Sequence, residues 1–369
     1  MIIDRSKLYK IGIDRVVINN FKILNFDKLD KKHINSKSEL IERFEEKNDF
    51  AILNYSVAIN EIGELYTTAS LDINPNKIRD NHNVYNSNVF EFHSELNKVV
   101  KLFEENGIEL DLSEARIKQI EINITFLKKY ENLKEVLLLI GRANPDKAIG
   151  IYSFTTSDIP REIVKDRTLY INGSKGDMAK TFEKDILRKK IILYDKTFEV
   201  LTKTGVELKD ELFRAELHLG RDYYREQISN YGLTNSIFDL KDEILKDIFI
   251  KSLEKELKVE PLKYLEVIKK KLKLKFLNFK RNENVKKQER IKLKSLGKEI
   301  PELYRETRGV FEYLDKEAWI FDYSFLQELV LKKIDSKSRQ KYLKQIENKY
   351  LDKNNKEVYE ELLKTVFPR

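Results

Sequence analysis

Tyr194 and Lys196 stand two residues apart in the run Ile191-Ile192-Leu193-Tyr194-Asp195-Lys196, whose apolar, β-branched content predicts a strand. A phenol ionises only near pH ~10, so a tyrosine that attacks at neutral pH needs a cation beside it. Positions two apart on a strand share a face, which sets the Lys196 ammonium alongside the Tyr194 hydroxyl. Arg188 and Lys190 extend the same row. The chemistry open to such a pair is nucleophilic attack through the phenolate oxygen. The plainer explanation is a half-buried strand tyrosine among surface lysines, in a chain that holds 18 tyrosines.

Neighbouring segments supply complementary groups. Residues 119–126 alternate strictly, with Ile120, Ile122, Ile124 and Phe126 on one face and Gln119, Glu121, Asn123 and Thr125 on the other. Residues 213–219 set Phe213, Ala215, Leu217 and Leu219 opposite Arg214, Glu216 and His218, and residues 11–18 carry Asp14 within a largely apolar run. Glu121, Asn123 and Glu216 offer carboxylate and amide oxygens, hard ligands suited to Mg²⁺ or Mn²⁺. Such an ion polarises a phosphoryl oxygen as a Lewis acid. Arg214 and His218, with Arg188 and Lys190, are suited to holding phosphates. Ordinary salt bridging to Lys or Arg is the competing role for the two glutamates. The four histidines, His33, His82, His93 and His218, lack zinc spacing, and Asn172-Gly173-Ser174-Lys175-Gly176 lacks the spacing of a P-loop.

The chain around these residues has 369 positions, enough for two domains, and 41% hydrophobic content, enough for real cores. Its net charge of +8 favours a polyanionic partner, most simply nucleic acid, although a Lys-, Asn- and Ile-rich composition also raises charge by itself. Without cysteine there are no disulfides, thiolate zinc sites or cysteine nucleophiles. No apolar signal core lies in residues 1–10, and no stretch approaches the roughly 20 apolar residues that span a bilayer. A soluble, cytoplasmic protein without membrane contact is expected.

Several elements must position the candidate residues. Residues 1–222 read as an α+β catalytic domain: a curved, mostly antiparallel sheet with helices on one face. Strands are expected at 11–18, 50–59, 64–73, 119–126, 149–154, 168–172, 188–196 and 213–219. Helices are expected at 36–46 (Ser36 as N-cap, Glu39 closing a capping box), 94–106 with Gly107 just past its end, 133–142 and from about 197. Residues 74–88 read as a loop. The order strand, helix, hairpin occurs twice, which suggests an internal duplication. Residues 223–369 read as an all-helical domain, with helices at 237–257, 262–274, 286–296, 325–334, 336–350 and 357–366. Within it Lys269, Lys270, Lys271 and Lys273 open a basic run to residue 298 that contains Phe276 and Phe279 and is opposed only by Glu283 and Glu289. A phosphate-binding surface and a merely solvated face are the two explanations.

The run Tyr194-Asp195-Lys196-Thr197-Phe198-Glu199 resembles the Tyr-x-Lys-x-x-Glu motif of rolling-circle replication initiators, and Arg214-Ala215-Glu216 resembles their downstream Arg-x-Glu strand. Ile120-Glu121-Ile122-Asn123 stands where that family has an Arg-x-Asp strand, with Glu121 in place of the expected Asp. Tyr170-Ile171-Asn172-Gly173-Ser174 and Ile11-Gly12-Ile13-Asp14 resemble the strand and turn before the tyrosine and the opening strand. The likeness covers about residues 10–225. It is to plasmid initiators and element relaxases grouped as replication initiation factors, and the gene II replication proteins of filamentous phages share the tyrosine motif. The resemblance implies a nickase: Tyr194 attacks origin DNA and leaves a 5′-phosphotyrosine and a free 3′-hydroxyl, with Mg²⁺ or Mn²⁺ held by carboxylates. Expected partners are single-stranded or hairpin and duplex origin DNA, a host helicase and a second copy of the chain. A non-catalytic, winged-helix DNA-binding initiator is the alternative, and an RNA-binding scaffold a third.

Overall fold

The computed structural model describes residues 1–25, 41–47, 51–59, 65–80, 82–144, 167–171, 189–260, 263–264, 340, 344 and 353–367. In chain order the strands are β1 (Gly12–Asn19), β2 (Lys22–Ile23), β3 (Ile41–Lys47), β4 (Ala51–Ile59), β5 (Leu65–Ile73), β6 (Leu110–Asp111), β7 (Arg116–Leu127), β8 (Thr168–Ile171), β9 (Lys189–Asp195) and β10 (Leu212–Gly220). The helices are α1 (Pro75–Asp80), α2 (Val89–Glu105), α3 (Tyr130–Ala143), α4 (Lys196–Thr204), α5 (Arg221–Ser229), α6 (Asp242–Leu257) and a C-terminal helix, Lys353–Val366.

Two compact units are present, residues 1–128 with 175–253 and residues 129–174 with 254–369. Each draws on two stretches of chain, so the division is not a single cut near residue 222. The reason is local. Beyond β10, α5 packs back on β7 and β10, and the following segment pairs with the start of β7 through Ile117 N–H to Asn235 O at 2.8 Å. The sheet unit therefore keeps residues that sequence patterning assigned to the helical part.

The first unit is a mostly antiparallel sheet with helices, an α+β architecture. Across it the order is β3-β4-β5-β1-β7-β10-β9, each neighbouring pair antiparallel. The alternation in β7 and β10 puts Ile120, Ile122, Ile124, Leu217 and Leu219 on one fully buried face, joined by Ile191 and Leu193 of β9. Each such side chain contributes about 1.5–3 kcal/mol by leaving water. Helix α2 buries Phe92, Leu96, Val99 and Phe103, and packs on β1 and β6.

Several local expectations shift. Residues 41–46 are strand, not helix: β3 pairs with β4 along its whole length, from Ile41↔Ala58 to Lys47↔Ile52, so tertiary pairing overrides the local capping signal. The tract 74–88 holds α1, which starts on Pro75, a residue pre-set for a first helical turn. Helix α2 starts five residues before position 94 because Asn88 caps it and Glu91 completes a capping box. Gly107, at φ 79°, stands just past its end as expected. Residues 237–257 divide into a short 3₁₀ turn, Ile237–Asp239, and α6.

In the second unit α3 packs against the C-terminal helix. The Tyr359 hydroxyl accepts from Val259 N–H at 2.7 Å and donates to Leu257 O at 3.0 Å. The expected strand at 149–154, the turn at 172–176, Arg188, and Lys269, Lys270, Lys271 and Lys273 with the rest of the basic run lie outside the described residues.

Candidate active site on the polar face of the sheet

Strand register sets the polar residues in three rows across the sheet. Tyr194, Arg214 and Thr125 form the first, with Arg214 the cross-strand partner of both. In the second, Glu216 lies between Ile192 and Asn123, and Asn123 pairs onward with Gly12. The third runs Lys190, His218, Glu121, Arg15. Adjacent residues on a regular strand point to opposite faces, yet Asp14 and Arg15 both reach this network. A register shift in β1 between Ile13 and Arg15 allows it, as a bulge does when it re-aims a side chain.

A chain of hydrogen bonds runs through the rows. The Tyr194 hydroxyl donates to Glu216 Oε1 at 2.5 Å. Glu216 Oε2 meets His218 Nε2 at 3.0 Å, and His218 Nδ1 meets Glu121 Oε1 at 3.1 Å. Arg15 Nη1 donates to the same Glu121 oxygen at 3.0 Å, and its Nη2 to Asp72 Oδ2 at 2.5 Å. Arg214 donates through Nε to Thr125 Oγ1 at 2.8 Å and through Nη2 to the carbonyls of Asn83 and Val84. Its Nη1 lies 3.5 Å from Asp14 Oδ1 and 3.6 Å from Glu216 Oε1.

Lys196 is not on the strand with Tyr194. The Asp195 side chain accepts from Phe198 N–H at 2.9 Å, which ends β9 and starts α4 on Lys196. The Lys196 ammonium is fully buried, bonded to Glu199 Oε2 at 2.5 Å and 5.6 Å from the centre of the Tyr194 ring. Lys and Glu of the Tyr-x-Lys-x-x-Glu run thus meet as an i,i+3 ion pair one turn into a helix.

Burial opposes charge here, and partners decide which groups stay ionised. Burial alone would lower His218, but Glu121 and Glu216 outweigh it and hold the imidazolium up to about 9. Burial would raise Glu216; the hydrogen bond and charge of His218, then Arg214 and Lys196, pull it well below the usual carboxylate range. Glu121 is lowered because His218 and Arg15 overcome its burial. Burial, then the Glu216 charge, push the Tyr194 phenol well above 10, so this tyrosine is a proton donor at neutral pH. Burial and then Arg214 bring Lys196 down to about 8. Asp14 is raised, chiefly by burial.

Among the described residues no three His, Asp or Glu side chains are gathered as a metal cluster. The donor types suit a hard cation nonetheless: both polar atoms of the fully buried Asn123 side chain, the Oδ1 acceptor and the Nδ2 donor, have no hydrogen bond, and Oδ1 is an amide oxygen on the residue paired with Glu216 and two positions from Glu121. Tyr194, Lys196, Glu121, Asn123, Glu216, Arg214, His218 and Lys190 all meet in this one region. Asp14, Arg15, Asp72 and Glu199 join them. Asp14 and Glu199 were visible as a charge in an apolar run and as the last motif residue. Arg15 and Asp72 left no signal, because only the β5-β1-β7 register brings them to Glu121. No family model matches the chain, and no curated protein matches it. Among the described residues no helix is long and apolar enough to cross a membrane.

Proposed function

We propose that this chain nicks and rejoins origin DNA through Tyr194, starting rolling-circle replication of a plasmid, phage or mobile element. The observation that carries this reading is the 2.5 Å hydrogen bond from the Tyr194 hydroxyl to Glu216, a carboxylate itself oriented by His218. Nucleophile, acceptor and orienting group stand in hydrogen-bond sequence, the arrangement a covalent mechanism needs. Tyr194 Oη attacks phosphorus as its proton leaves along the hydrogen bond to Glu216, which, held ionised by His218, passes it on to water. The P–O3′ bond breaks, and the leaving 3′-oxygen takes a proton from water. The products are a 5′-phosphotyrosine and a 3′-hydroxyl, and the reverse step rejoins the strand. Glu121, Asn123 and Glu216 would hold Mg²⁺ or Mn²⁺, which supplies Lewis-acid polarisation of the phosphoryl oxygen. Lys190, with Arg188 and the run Lys269, Lys270, Lys271 and Lys273, would contact DNA phosphates, while the wholly buried Arg214 would hold Asp14 and Glu216 in place.

The order strand, helix, hairpin fails in the first half, where residues 41–47 are strand, and it is the strand pairing that supports a duplication. In β1 to β5 the first strand pairs with the last and β4 and β3 follow outward; from β7 onward the first strand again pairs with the last, β10, and β9 follows outward. A curved sheet built from two such halves, with β1 and β7 at its centre, is the finer form of the proposal.

One observation favours the non-catalytic reading. Tyr194 is only 7% exposed and its hydroxyl is already satisfied, as in a structural network. Incubation with supercoiled DNA of the protein's own replicon and Mg²⁺ or Mn²⁺ separates the two. Nicked circles carrying covalent protein support the enzyme, and binding without any adduct supports the alternative.

A further inference from the structure

Arg15 and Asp72 stand at the outer end of the chain of hydrogen bonds that begins at Tyr194. Arg15 of β1 is the direct cross-strand partner of Glu121. Asp72 of β5 lies opposite Val17, two positions along β1, and reaches Arg15 on the diagonal. Its two carboxylate oxygens accept from Arg15 Nε at 2.7 Å and Nη2 at 2.5 Å, a bidentate fork. The fork fixes the guanidinium and leaves Nη1 to meet Glu121.

Among the described residues, every hydrogen bond that Glu121 accepts through its side chain falls on one oxygen. Oε1 takes Arg15 Nη1 at 3.0 Å, His218 Nδ1 at 3.1 Å and Gln119 Nε2 at 3.2 Å, and Oε2 takes none of the three. Three donors on one oxygen fix the plane of the carboxylate and leave the other oxygen uncommitted. Carboxylates that ligate metal ions are oriented by outer partners in this way. Of the three donors, Arg15 alone is charged at every accessible pH, and it alone is clamped by a second carboxylate. The register shift in β1 between Ile13 and Arg15 is what turns it to this face.

We propose that Arg15, held by Asp72, is a positioning residue for Glu121: it anchors Oε1 and so keeps Oε2 free for a divalent cation. The assignment rests on the metal-assisted nicking reading and adds two residues to it. A cation beside a metal ligand also repels the metal, so orientation and charge predict opposite signs for its removal. Lost orientation weakens metal binding; lost repulsion tightens it.

Mn²⁺ binding to the DNA-free protein, read from the loss of the free-ion electron paramagnetic resonance signal, tests it without any nicking. Arg15→Ala should weaken Mn²⁺ binding roughly 10- to 100-fold, the range for losing such an outer partner. Arg15→Lys keeps the charge and loses the fork, and should bind nearly as weakly. Asp72→Asn should weaken binding in the parent background and add little in Arg15→Ala, because it acts through that guanidinium. The Arg15 side chain is 39% exposed, so the sheet should survive these changes, which circular dichroism checks. Unchanged or tighter Mn²⁺ binding in Arg15→Ala, parent-like binding in Arg15→Lys, or additive losses at the two positions would overturn the positioning and leave the nicking reading standing. Arg15-dependent Mn²⁺ binding without any Tyr194 adduct on replicon DNA would sink the nicking reading alone. A parent protein that binds no Mn²⁺ would sink the metal centre and its positioning together.

Discussion

The two faces of β7, β10 and β9 are built by the same three strands and are both largely out of water, yet they hold by opposite means. On one face Ile120, Ile122, Ile124, Leu217, Leu219, Ile191 and Leu193 are wholly out of water and need only be apolar and about the right size. On the other, Glu121 and Glu216 at 6% exposure and Asn123 and Arg214 at 0%, with the wholly buried Lys196 of α4 beside Tyr194, each need a partner of the right kind in the right place. The first face tolerates exchange and sets the fold. The second is intolerant and sets the chemistry. One residue of offset on either strand would swap the two faces, so the bulge at Asp14 and the strand registers matter more to the site than any single strand's composition.

The largest expected effect falls on the polar face. Tyr194→Phe should abolish the covalent DNA adduct, leave DNA binding within a few-fold, and leave folding intact, because one hydroxyl is lost. An adduct that survives, or that maps to Tyr170 or another tyrosine, breaks the assignment. On the same face, EDTA should stop nicking, Mg²⁺ or Mn²⁺ should restore it, and Glu121→Ala should fail at any practical metal concentration. Full nicking in EDTA would refute the carboxylate site.

Stability tests the contrast directly. Arg214→Ala leaves Asp14 and Glu216 without their shared guanidinium and should cost about 3–5 kcal/mol, as breaking a buried ion pair does. Leu217→Ala on the opposite face should cost about 2–5 kcal/mol through lost burial and a cavity. The conservative exchanges are the sharper pair. Leu217→Met should cost less than about 1.5 kcal/mol. Arg214→Lys should cost clearly more, since one ammonium nitrogen cannot stand at the separate positions from which Nε and Nη2 reach Thr125 and the two carbonyls. Urea midpoints at constant m-value decide it, and equal costs would erase the difference between the faces.

The sequence disclosed the two faces unequally. Strict alternation at Ile120–Phe126 and Phe213–Leu219 gave both strands and their apolar sides, since a period of two is local information. It also gave Glu121, Asn123, Arg214, Glu216 and His218 as polar neighbours. It did not give their bonds. Whether His218 meets a phosphate or two glutamates depends on the β7–β10 register, a non-local quantity. Lys196 looked like a strand partner of Tyr194 because the Asp195 cap that turns the chain into α4 is a side-chain event one residue long. The helix expected at 36–46 shows the reverse failure. A plausible local cap lost to pairing with β4, which no window around residue 41 contains.

The smallest effect is a pH dependence that should belong to the polar face only. His218 rises from its unperturbed value near ~6.5 to about 9 in the folded protein, so the folded state binds the extra proton across that window. Its contribution is fully present below pH ~6.5 and is lost as pH climbs toward about 9. Lys196, lowered from 10.5 to about 8, works the other way: the unfolded chain binds more protons above about 8, so stability there rises with pH. His82 and His93, both lowered chiefly by burial, titrate below the window. Stability should therefore fall between about pH 6.5 and 8, by something on the order of 1–2 kcal/mol, level off to about 9 where the two groups oppose each other, and rise above it. His218→Gln should flatten that fall, while Leu217→Ala should lower the whole curve and keep its shape. A parent curve already flat from pH 6.5 to 8 would mean that His218 carries no proton between Glu121 and Glu216. The polar face would then be held together by something other than the imidazolium at its centre.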